Sequence, residues 1–287
     1  MNNKFKIVPF DLKYKDKIES GEYLVTTRGG NPVRIACWDK LDPDYPIIGL
    51  QRIRNFEFLE NYNKYGRVDL LEDNDSDLMV LIDNEPLFVD LGLPSGLKWA
   101  TRNIDLTQRN GFAKSQYQYE CSFFSWGNTE GHNPTSKNRF DYDWGTCYDI
   151  DSYSKTPGAK LNKSEIIHII NNKWKIPTEY DFQELFDYTD FIKPNGKIIT
   201  TDNDKIVEIE GVNGILLESK INGVRLFFPC SGYGNGTSWN NRGSDGNYWS
   251  SSLYSSTNGR NLYFYSGGVN PQNYNGRFRG FAVRPVQ

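Results

Sequence analysis

Apolar and polar residues alternate in the N-terminal part of the chain, which predicts a small β domain. The stretch EYLVTTRGGNPVRIACW reads as two strands around a Gly-Gly-Asn-Pro turn, with a hairpin loop from Thr26 to Arg34. The alternation continues through YPIIGLQ and FEFLENYNKYGRVDLL. The acidic run EDNDSD follows and reads as a solvated turn, because it lacks the glycine and distal glutamate of an EF-hand loop. We therefore expect a first domain over residues 1–84, with its boundary between Asp73 and Pro86.

A different pattern starts after this boundary and predicts a second domain over residues 85–287. LFVDLGLPSGLKWA begins with a short apolar strand and turns at Pro94-Ser95-Gly96. The middle of the domain, from Asp105 to Lys160, is irregular, polar and aromatic. We expect short strands and long loops in nearly all the rest, apart from two helices.

The two predicted helices differ in the strength of their signals. The first spans roughly Ser164 to Asn171. The second lies in IPTEYDFQELFDYTDF, where Thr178 can cap the helix and Asp181 occupies the capping-box position. Helical spacing there places three apolar side chains on one stripe, namely Phe182, Leu185 and Phe186.

The C-terminal tail, residues 231–287, consists mostly of Gly, Ser, Asn, Tyr and Arg, and its only acid is Asp245. Antibody combining loops use a similar mixture, in which Tyr supplies rigid contact area and Ser, Gly and Asn supply adaptable hydrogen bonds. Alternation in LYFYSG places Tyr263 and Tyr265 on one strand face and Leu262 and Phe264 on the other. The tail is therefore predicted to display a polar, aromatic face above a buried scaffold.

The candidate ligand-binding residues are tail side chains that can stack or form hydrogen bonds. They are Asn240, Asn241, Asp245, Asn247, Tyr254, Asn258, Arg260, Asn261, Tyr263, Tyr265, Asn270, Asn273, Tyr274, Asn275, Arg277 and Arg279. A flat face of this kind fits a protein epitope or sugar rings equally well. The expected partner is a protein or glycan on the surface of a host or neighbouring cell.

Charge and hydropathy exclude some classes of partner. The net charge of -3 argues against dedicated nucleic-acid binding. No apolar run follows the N-terminal lysines, and no stretch is long enough to span a bilayer, so we expect neither a secretory signal nor membrane insertion. The expected location is the cytoplasm or a phage particle.

Candidate catalytic and metal-binding residues are few. The cysteines, Cys37, Cys121, Cys147 and Cys230, lack metal-site spacing and are expected to be buried free thiols, with one bridged pair left open. His132 is expected to be solvent-exposed in a polar loop and His168 to lie on a helix edge, and neither is assigned as a base. We therefore predict no catalytic residue.

The aspartates in FDYDWGTCYDI can be considered as ligands of a calcium site. Asp141, Asp143 and Asp149 carry the oxygen ligands that calcium prefers, but the interpretation favoured here is a polar loop held by Tyr142 and Trp144. The string Val269-Asn270-Pro271-Gln272-Asn273 lacks the acid of a calcium-and-sugar site. The sequence thus predicts no metal and no cofactor.

Six ordered blocks carry a family resemblance over residues 85–287. They are FVDLGLPSGLKWATRNI, FFSWGNTEG, WKIPTEYDFQELF, GYGNGTS, GNYWSSS and GFAVRPV. The chain resembles the Fibrobacter succinogenes major paralogous domain, common in gut Bacteroidetes and their phages. This resemblance implies an α+β fold class, with a C-type-lectin-like domain of the formylglycine-generating-enzyme type preceded by the small β domain. The N-terminal domain resembles accessory domains more loosely, which implies attachment or assembly.

The same resemblance implies a variable protein of a diversity-generating retroelement, in which adenine-directed mutagenesis rewrites the receptor-binding face. Mutation of an AAC codon at its adenines yields Asn, Ser, Asp, Gly, Tyr, Arg and Thr, the types that dominate the tail. They alternate there with fixed-looking residues such as Tyr248, Trp249, Leu262 and Phe264. An ordinary polar β tail that shares these codons is the alternative.

Two other functions stay open at this point. The chain could be a structural phage-tail or cell-surface component whose tail packs against a neighbour, within a homo-oligomer or a phage particle. It could also be an oxidoreductase like the formylglycine-generating enzyme, which works with a pair of cysteines on copper. Because Cys230, the residue before the tail, is the only cysteine in this part of the sequence, that pair is missing. The sequence therefore favours a binding protein without enzymatic activity.

Overall fold

The computed structural model is rich in β structure, with strand in 45% and helix in 8% of the described residues. It describes residues 5–19, 23–54, 56–69, 72–83, 87–108, 111–128, 130–144 and 174–287. Contacts between Cα atoms divide the chain into two compact units, Met1–Leu87 and Phe88–Gln287. The predicted α+β, C-type-lectin-like class is therefore wrong, because strands dominate and the described helices are short.

Helical structure is limited because few segments carry a helical pattern. The described part of the chain contains α1 (Lys15–Glu19) and α2 (Glu179–Asp187). The helix predicted over Ser164–Asn171 lies outside the described residues. Elsewhere, aromatic side chains and glycines favour short strands and turns over helix. Among the described residues, neither helix has the length and apolar character needed to cross a membrane.

The first unit contains one antiparallel sheet of six strands in the order β1-β6-β2-β3-β4-β5. A turn of 3₁₀ helix, Leu12–Tyr14, precedes α1. The strands are β1 (Phe5–Pro9), β2 (Tyr23–Thr27), β3 (Pro32–Cys37), β4 (Ile47–Ile53), β5 (Phe56–Tyr62) and β6 (Leu78–Asp83). The hairpin predicted around the Gly-Gly-Asn-Pro turn is confirmed as β2–β3. The core on one face of this sheet consists of Phe10, Val25, Val33, Ile47, Tyr62, Leu78 and Val80.

The acidic run after β5 is only partly solvated. Asp77, its last residue, is buried and accepts hydrogen bonds from the backbone N–H groups of Val68 at 3.1 Å and Asn74 at 2.9 Å. The guanidinium groups of Arg28 and Arg67 lie 3.7 and 3.8 Å from its carboxylate. The expected solvated turn is therefore wrong at Asp77, which fixes the loop leading into β6.

The second unit contains thirteen described strands and α2. The strands are β7 (Phe88–Asp90), β8 (Lys98–Ala100), β9 (Phe123–Phe124), β10 (Gly131–His132), β11 (Thr189–Phe191), β12 (Ile206–Ile209), β13 (Val212–Ser219), β14 (Arg225–Pro229), β15 (Tyr233–Asn235), β16 (Ser238–Asn240), β17 (Gly246–Leu253), β18 (Asn258–Tyr265) and β19 (Gly268–Gly276). A 3₁₀ turn spans Asp202–Asp204. Strand β13 pairs with β11, β12 and β14, while β17, β18 and β19 form a separate antiparallel sheet in that order.

Helix α2 begins as predicted. Thr178 accepts a hydrogen bond on Oγ1 from the Asp181 N–H at 3.1 Å, and the Thr178 N–H donates to Asp181 Oδ2 at 2.8 Å. This reciprocal pair is the capping box that the sequence indicated. Phe182 and Leu185 are buried in the core of the unit, and Phe186 packs against it from the edge.

Candidate ligand-binding surface

The β17-β18-β19 sheet carries most of the candidate residues and has two unlike faces. In an antiparallel register, residues directly opposite each other project to the same face. Leu262 and Phe264 of β18 lie opposite Tyr248 and Gly246 of β17, and both β18 side chains are fully buried in the core. Tyr263 and Tyr265 project to the other face, so the alternation predicted for LYFYSG is confirmed.

The tyrosine face, as we name the surface formed by Tyr263, Tyr265 and Asn270, lies on the side of the sheet away from that core. The rings of Tyr263 and Tyr265 stack with centroids 5.4 Å apart and planes 19° apart. Tyr265 is 42% exposed, and Asn270, which lies opposite Tyr263 on β19, is exposed too. The face thus presents two ordered aromatic rings to solvent.

Tyr263 connects this face to an aspartate. Its hydroxyl donates to Asp245 Oδ2 at 3.4 Å, and Asn241 Nδ2 donates to the same oxygen at 2.6 Å. Burial, followed by the Asp245 carboxylate, raises the pKa of Tyr263 to about 12. Tyr263 therefore stays neutral near pH 7 and keeps its hydroxyl proton. Asp245 is itself buried, so it orients the Tyr263 ring and does not form part of the exposed surface.

Asn247 brings an unsatisfied donor to the same place. It lies directly opposite Tyr263 on β17 and is almost completely buried. Within the described residues, its Nδ2 has no hydrogen-bond partner. A buried donor without a partner costs about 1–3 kcal/mol. Because Nδ2 is itself buried, this donor is not open to a ligand on the tyrosine face.

Arg279 adds a cation held by two aromatic rings. Its guanidinium lies 5.0 Å from the ring centroid of Tyr233 and 5.8 Å from that of Phe278. Tyr233 was not among the predicted site residues, although it lies in the GYGNGTS block and is half-buried. The sequence feature that could have identified Tyr233 is its position as an aromatic residue in a Gly-rich stretch.

A second aromatic cluster, the Tyr254–Tyr274 stack, forms elsewhere on the sheet. The two rings lie 4.0 Å apart with planes 9° apart, and the Arg260 guanidinium lies 4.5 Å from the Tyr254 ring. Arg260 also forms an ion pair with Glu179 of α2 at 2.8 Å. Glu179 was missed because it lies far from the tail in sequence.

The candidate residues therefore occupy both faces of the sheet, and the expectation of a single display face is wrong. Tyr274 lies opposite Arg260, and Arg260 alternates with Leu262 on the core side of β18. Tyr263 and Tyr265 project from the other side. Alternation assigns side chains to the two faces only within one strand. The β-bulges in β17 and β19, together with the position of α2, determine which parts of each face are exposed to solvent.

Several candidate residues are buried. Asn261 is fully buried and accepts hydrogen bonds on Oδ1 from Asn273 at 3.4 Å and Asn275 at 3.3 Å. Arg277 is 8% exposed, lies 4.7 Å from the Trp126 ring, and donates to the Ser256 carbonyl at 3.0 Å. The expected display of Asn261 and Arg277 on an exposed face is thus wrong, because both side chains are buried.

Two remaining candidates stabilise turns. Asn258 donates through Nδ2 to the hydroxyl groups of Ser255 and Thr257, both at 3.3 Å, and so holds the β17–β18 connection. Asn240, at the end of β16, donates to the Ser238 carbonyl at 3.3 Å. Their side-chain donors are engaged within the protein, which makes them weaker candidates for ligand contact than Asn270.

A separate pocket of about 390 Å³ lies beside β10. Its lining residues are Leu106, Thr107, Gly131, His132, Asn133, Asp141 and Tyr142. Asn133 bridges Asp105 at 2.9 Å and Ser122 at 2.6 Å, so much of the polar lining is satisfied internally.

Nowhere in the described part of the chain do His, Cys, Asp or Glu side chains form a group that could hold a metal ion, and Asp149 lies outside that part.

His132 is half-buried, which overturns its expected solvent exposure. Its ring stacks on Tyr142 with centroids 3.5 Å apart and planes 11° apart, and it meets the edge of Trp144 at 5.6 Å. Burial lowers the pKa of His132, an effect that the Glu130 carboxylate opposes in part. His168, the other histidine, lies outside the described residues.

We expect His132 to titrate below the ordinary histidine pKa of about 6.5. Because the pKa of His132 is lower in the folded than in the unfolded chain, the stabilising effect of the neutral imidazole is fully present above pH about 6.5. This stability is lost as the pH falls from there through the folded-state pKa. An NMR titration of the two imidazole signals, assigned with His132→Asn, measures this directly. A midpoint at or above 6.5 for His132 would show that the Tyr142 stack does not desolvate the ring.

The prediction of buried free thiols is confirmed for two of the cysteines. Cys121 and Cys230 are buried free thiols, as predicted, whereas Cys37 is free but only half-buried. Burial raises the pKa of Cys121 and of Cys230, so both stay protonated near pH 7 and are poor nucleophiles. Cys147 lies outside the described residues.

Comparison with known proteins gives one match. The profile of a domain of unknown function, DUF8237, matches residues 200–286. That range contains β12 through β19, and with them the tyrosine face and the Tyr254–Tyr274 stack. No curated protein and no solved structure matches the chain.

Proposed function

We propose that this protein binds a ligand through the tyrosine face and performs no chemistry on it. One observation carries the proposal: Tyr263 and Tyr265 stack on the side of the sheet away from the core, where Tyr263 is half-buried and Tyr265 is 42% exposed. An aromatic platform of two tyrosines offers a rigid apolar contact surface together with polar hydroxyl groups. The proposed partner is a protein or glycan on the surface of a host or neighbouring cell.

The platform is held in place before any ligand arrives. The backbone between the two tyrosines is anchored by Phe264, whose side chain is fully buried on the opposite face. The ring of Tyr263 is further held by stacking and by its hydrogen bond to Asp245. Side chains ordered in advance lose little entropy on binding, which favours affinity.

The residue types on this face also support the proposal that the tail is diversified. Tyr263, Tyr265 and Asn270 are types reachable from an AAC codon, and on β18 the two tyrosines alternate with the buried Leu262 and Phe264. Substitution at exposed positions would change the ligand without disturbing the core. Sequencing the surrounding DNA tests this part: an adenine-rich template repeat beside a reverse-transcriptase gene is expected, and its absence contradicts diversification but not binding.

The binding test compares two tyrosine pairs on the same sheet. A glycan array and a pull-down from labelled cell-surface proteins first identify a ligand for the parent protein. Tyr263→Ala with Tyr265→Ala should then weaken binding by about 30-fold or more, since one aromatic hot spot contributes about 2 kcal/mol. The matched control is Tyr254→Ala with Tyr274→Ala, which removes the other stacked tyrosine pair of this sheet and should leave affinity nearly unchanged.

Each outcome of that comparison is informative. Loss of binding only in the control variant would move the site to the Tyr254–Tyr274 stack. Full binding by both variants would contradict the proposal that the tail carries the binding site. Circular dichroism of both variants should match the parent, because the removed rings lie at the surface.

A further inference from the structure

The six-stranded sheet of the first unit ends in two free edges. Strand β1 lies at one end of the strand order and β5 at the other, and no other described strand pairs with their outer sides. A free edge presents a row of N–H and C=O groups that can pair with a strand of another chain. The chemistry of these two edges indicates which strand that is.

The outward backbone groups of β5 follow from its hairpin with β4. Ile53 of β4 lies opposite Phe56 of β5 with only two residues of chain between them, so Phe56 and every second residue after it bond to β4. Glu57, Leu59 and Asn61 therefore direct their N–H and C=O groups outward. The Asn61 N–H donates to the side chain of Glu60 at 3.2 Å, in agreement with an outward position.

The outward groups of β1 follow in the same way. The Phe10 N–H donates to the Leu78 carbonyl at 3.3 Å, which continues the β1–β6 ladder by one residue. Bonding to β6 alternates along β1, so Phe10, Val8 and Lys6 direct their backbone groups toward β6. The intervening Pro9 and Ile7 direct theirs away from it. Proline lacks an N–H and is tolerated at such a position on an edge strand.

We propose that β1 of a second copy of this chain pairs with β5 of the first, so that the sheet continues from copy to copy. Each strand in the sheet is antiparallel to its neighbours, and six strands therefore leave β1 antiparallel to β5. A second copy in the same orientation brings its β1 alongside β5 as an antiparallel pair. This proposal does not depend on the proposed ligand.

One register makes the two edges complementary. Pairing the second copy's Ile7 with Leu59 joins two outward-directed residues, and both side chains are exposed, by 60% and 62%. The same register places the second copy's Lys6 opposite Glu60, which pairs opposite charges. It also places the second copy's Val8, on the core side, opposite Phe58, which is 51% exposed.

Other registers lose this complementarity. A shift by one residue would move every side chain to the wrong face of the sheet. A shift by two residues places the second copy's Lys6 opposite either Phe58 or Tyr62, and Tyr62 is buried in the core. Pairing of β5 with β5 of another copy would bring the acidic Glu57 and Glu60 of both copies together without a basic partner strand.

Because the two edges differ, the interface is heterologous and generates rings or open chains. Each added copy would bring a further tyrosine face, which raises avidity for a ligand displayed in many copies. The exposed Phe58 and Leu59 would be covered in such an assembly, which accounts for large apolar side chains on an edge strand.

Proline substitutions test each edge separately in the full-length protein. Ile7→Pro and Leu59→Pro each remove an outward N–H without removing a bond inside the sheet. Sedimentation velocity over a concentration series should show self-association of the parent and about tenfold or more weaker association of each variant. An equimolar mixture of the two variants should form a dimer and nothing larger, since each supplies the edge that the other lacks.

The controls and contrary outcomes are distinct. Ile7→Val and Leu59→Val keep the N–H and should associate like the parent. A parent that stays monomeric at every concentration overturns the proposal, as does a mixture that stays monomeric. Undiminished association of Ile7→Pro alone would instead show pairing of β5 with β5.

A charge exchange decides the matter if a proline variant fails to fold. Lys6→Glu and Glu60→Lys should each weaken self-association, because each places like charges opposite one another. The double variant Lys6→Glu, Glu60→Lys restores opposite charges and should recover association. If the double variant associates more weakly than either single one, the proposed register is wrong.

Discussion

Replacement of Arg284 by alanine should lower the free energy of unfolding by about 3–5 kcal/mol. Arg284 is fully buried, and its Nη1 donates to the carbonyl oxygens of Ala100, Thr101 and Phe227 at 3.1, 2.6 and 3.1 Å. Its Nε donates to Asn103 Oδ1 at 2.8 Å. The alanine variant leaves a cavity and removes a donor from each of these buried oxygens.

The size of this effect follows from what Arg284 connects. Its carbonyl partners belong to β8, to the residue after β8 and to β14, so one guanidinium joins segments distant in sequence. Burial lowers the pKa of Arg284 to about 10, so the side chain is still charged at pH 7. A buried charge is tolerated only where hydrogen bonds surround it, and here backbone dipoles supply most of them.

Urea unfolding followed by fluorescence measures the change, with Arg279→Ala as the matched control. Arg279 lies over Tyr233 and is half-buried at the surface, so its removal should change stability by only about 0.5 kcal/mol. Arg284→Lys should fall between the two, because an ammonium cannot reproduce the planar fork of the guanidinium. Equal stability of the Arg284→Ala and Arg279→Ala variants would show that the buried network contributes nothing net.

Elements with local signals were predictable from the sequence. The β2–β3 hairpin follows from the turn residues between two alternating runs, and α2 follows from the capping box of Thr178 and Asp181. The opposite faces of Tyr263 and Phe264 follow from the two-residue period of a strand. Each of these signals lies within a few residues of the structure that it specifies.

Features that depend on contacts distant in sequence were not predictable. Arg277 looks like a surface arginine in a polar tail, but the Trp126 ring covers it. His132 looks like a loop histidine, but Tyr142 and Trp144 pack around it. The fold class failed because the resemblance implied an α+β class, whereas strands account for 45% and helix for 8% of the described residues. Alternation in one strand carries no information about what another segment lays on top of it.

Phe264 and Tyr265 are adjacent on β18, but Phe264 is fully buried and Tyr265 is 42% exposed. Phe264 is fully buried and stacks on Tyr248 with centroids 6.0 Å apart and planes 14° apart. Its ring fills the space above Gly246, where any side chain larger than hydrogen would overlap it. Tyr265 contacts mainly Tyr263 and solvent.

We therefore expect Phe264→Ala to lower the free energy of unfolding by about 3–5 kcal/mol, as a buried aromatic truncation does. Tyr265→Ala should change it by about 0.5 kcal/mol. Thermal and urea unfolding of both variants measure the difference, and ligand binding by each variant supplies the complementary result. Tyr265→Ala should lose binding while keeping its stability, whereas Phe264→Ala should lose binding only to the extent that it unfolds. Similar destabilisation by both substitutions would mean that the tyrosine face is part of the structural core, and a binding surface built on it would then have to be abandoned.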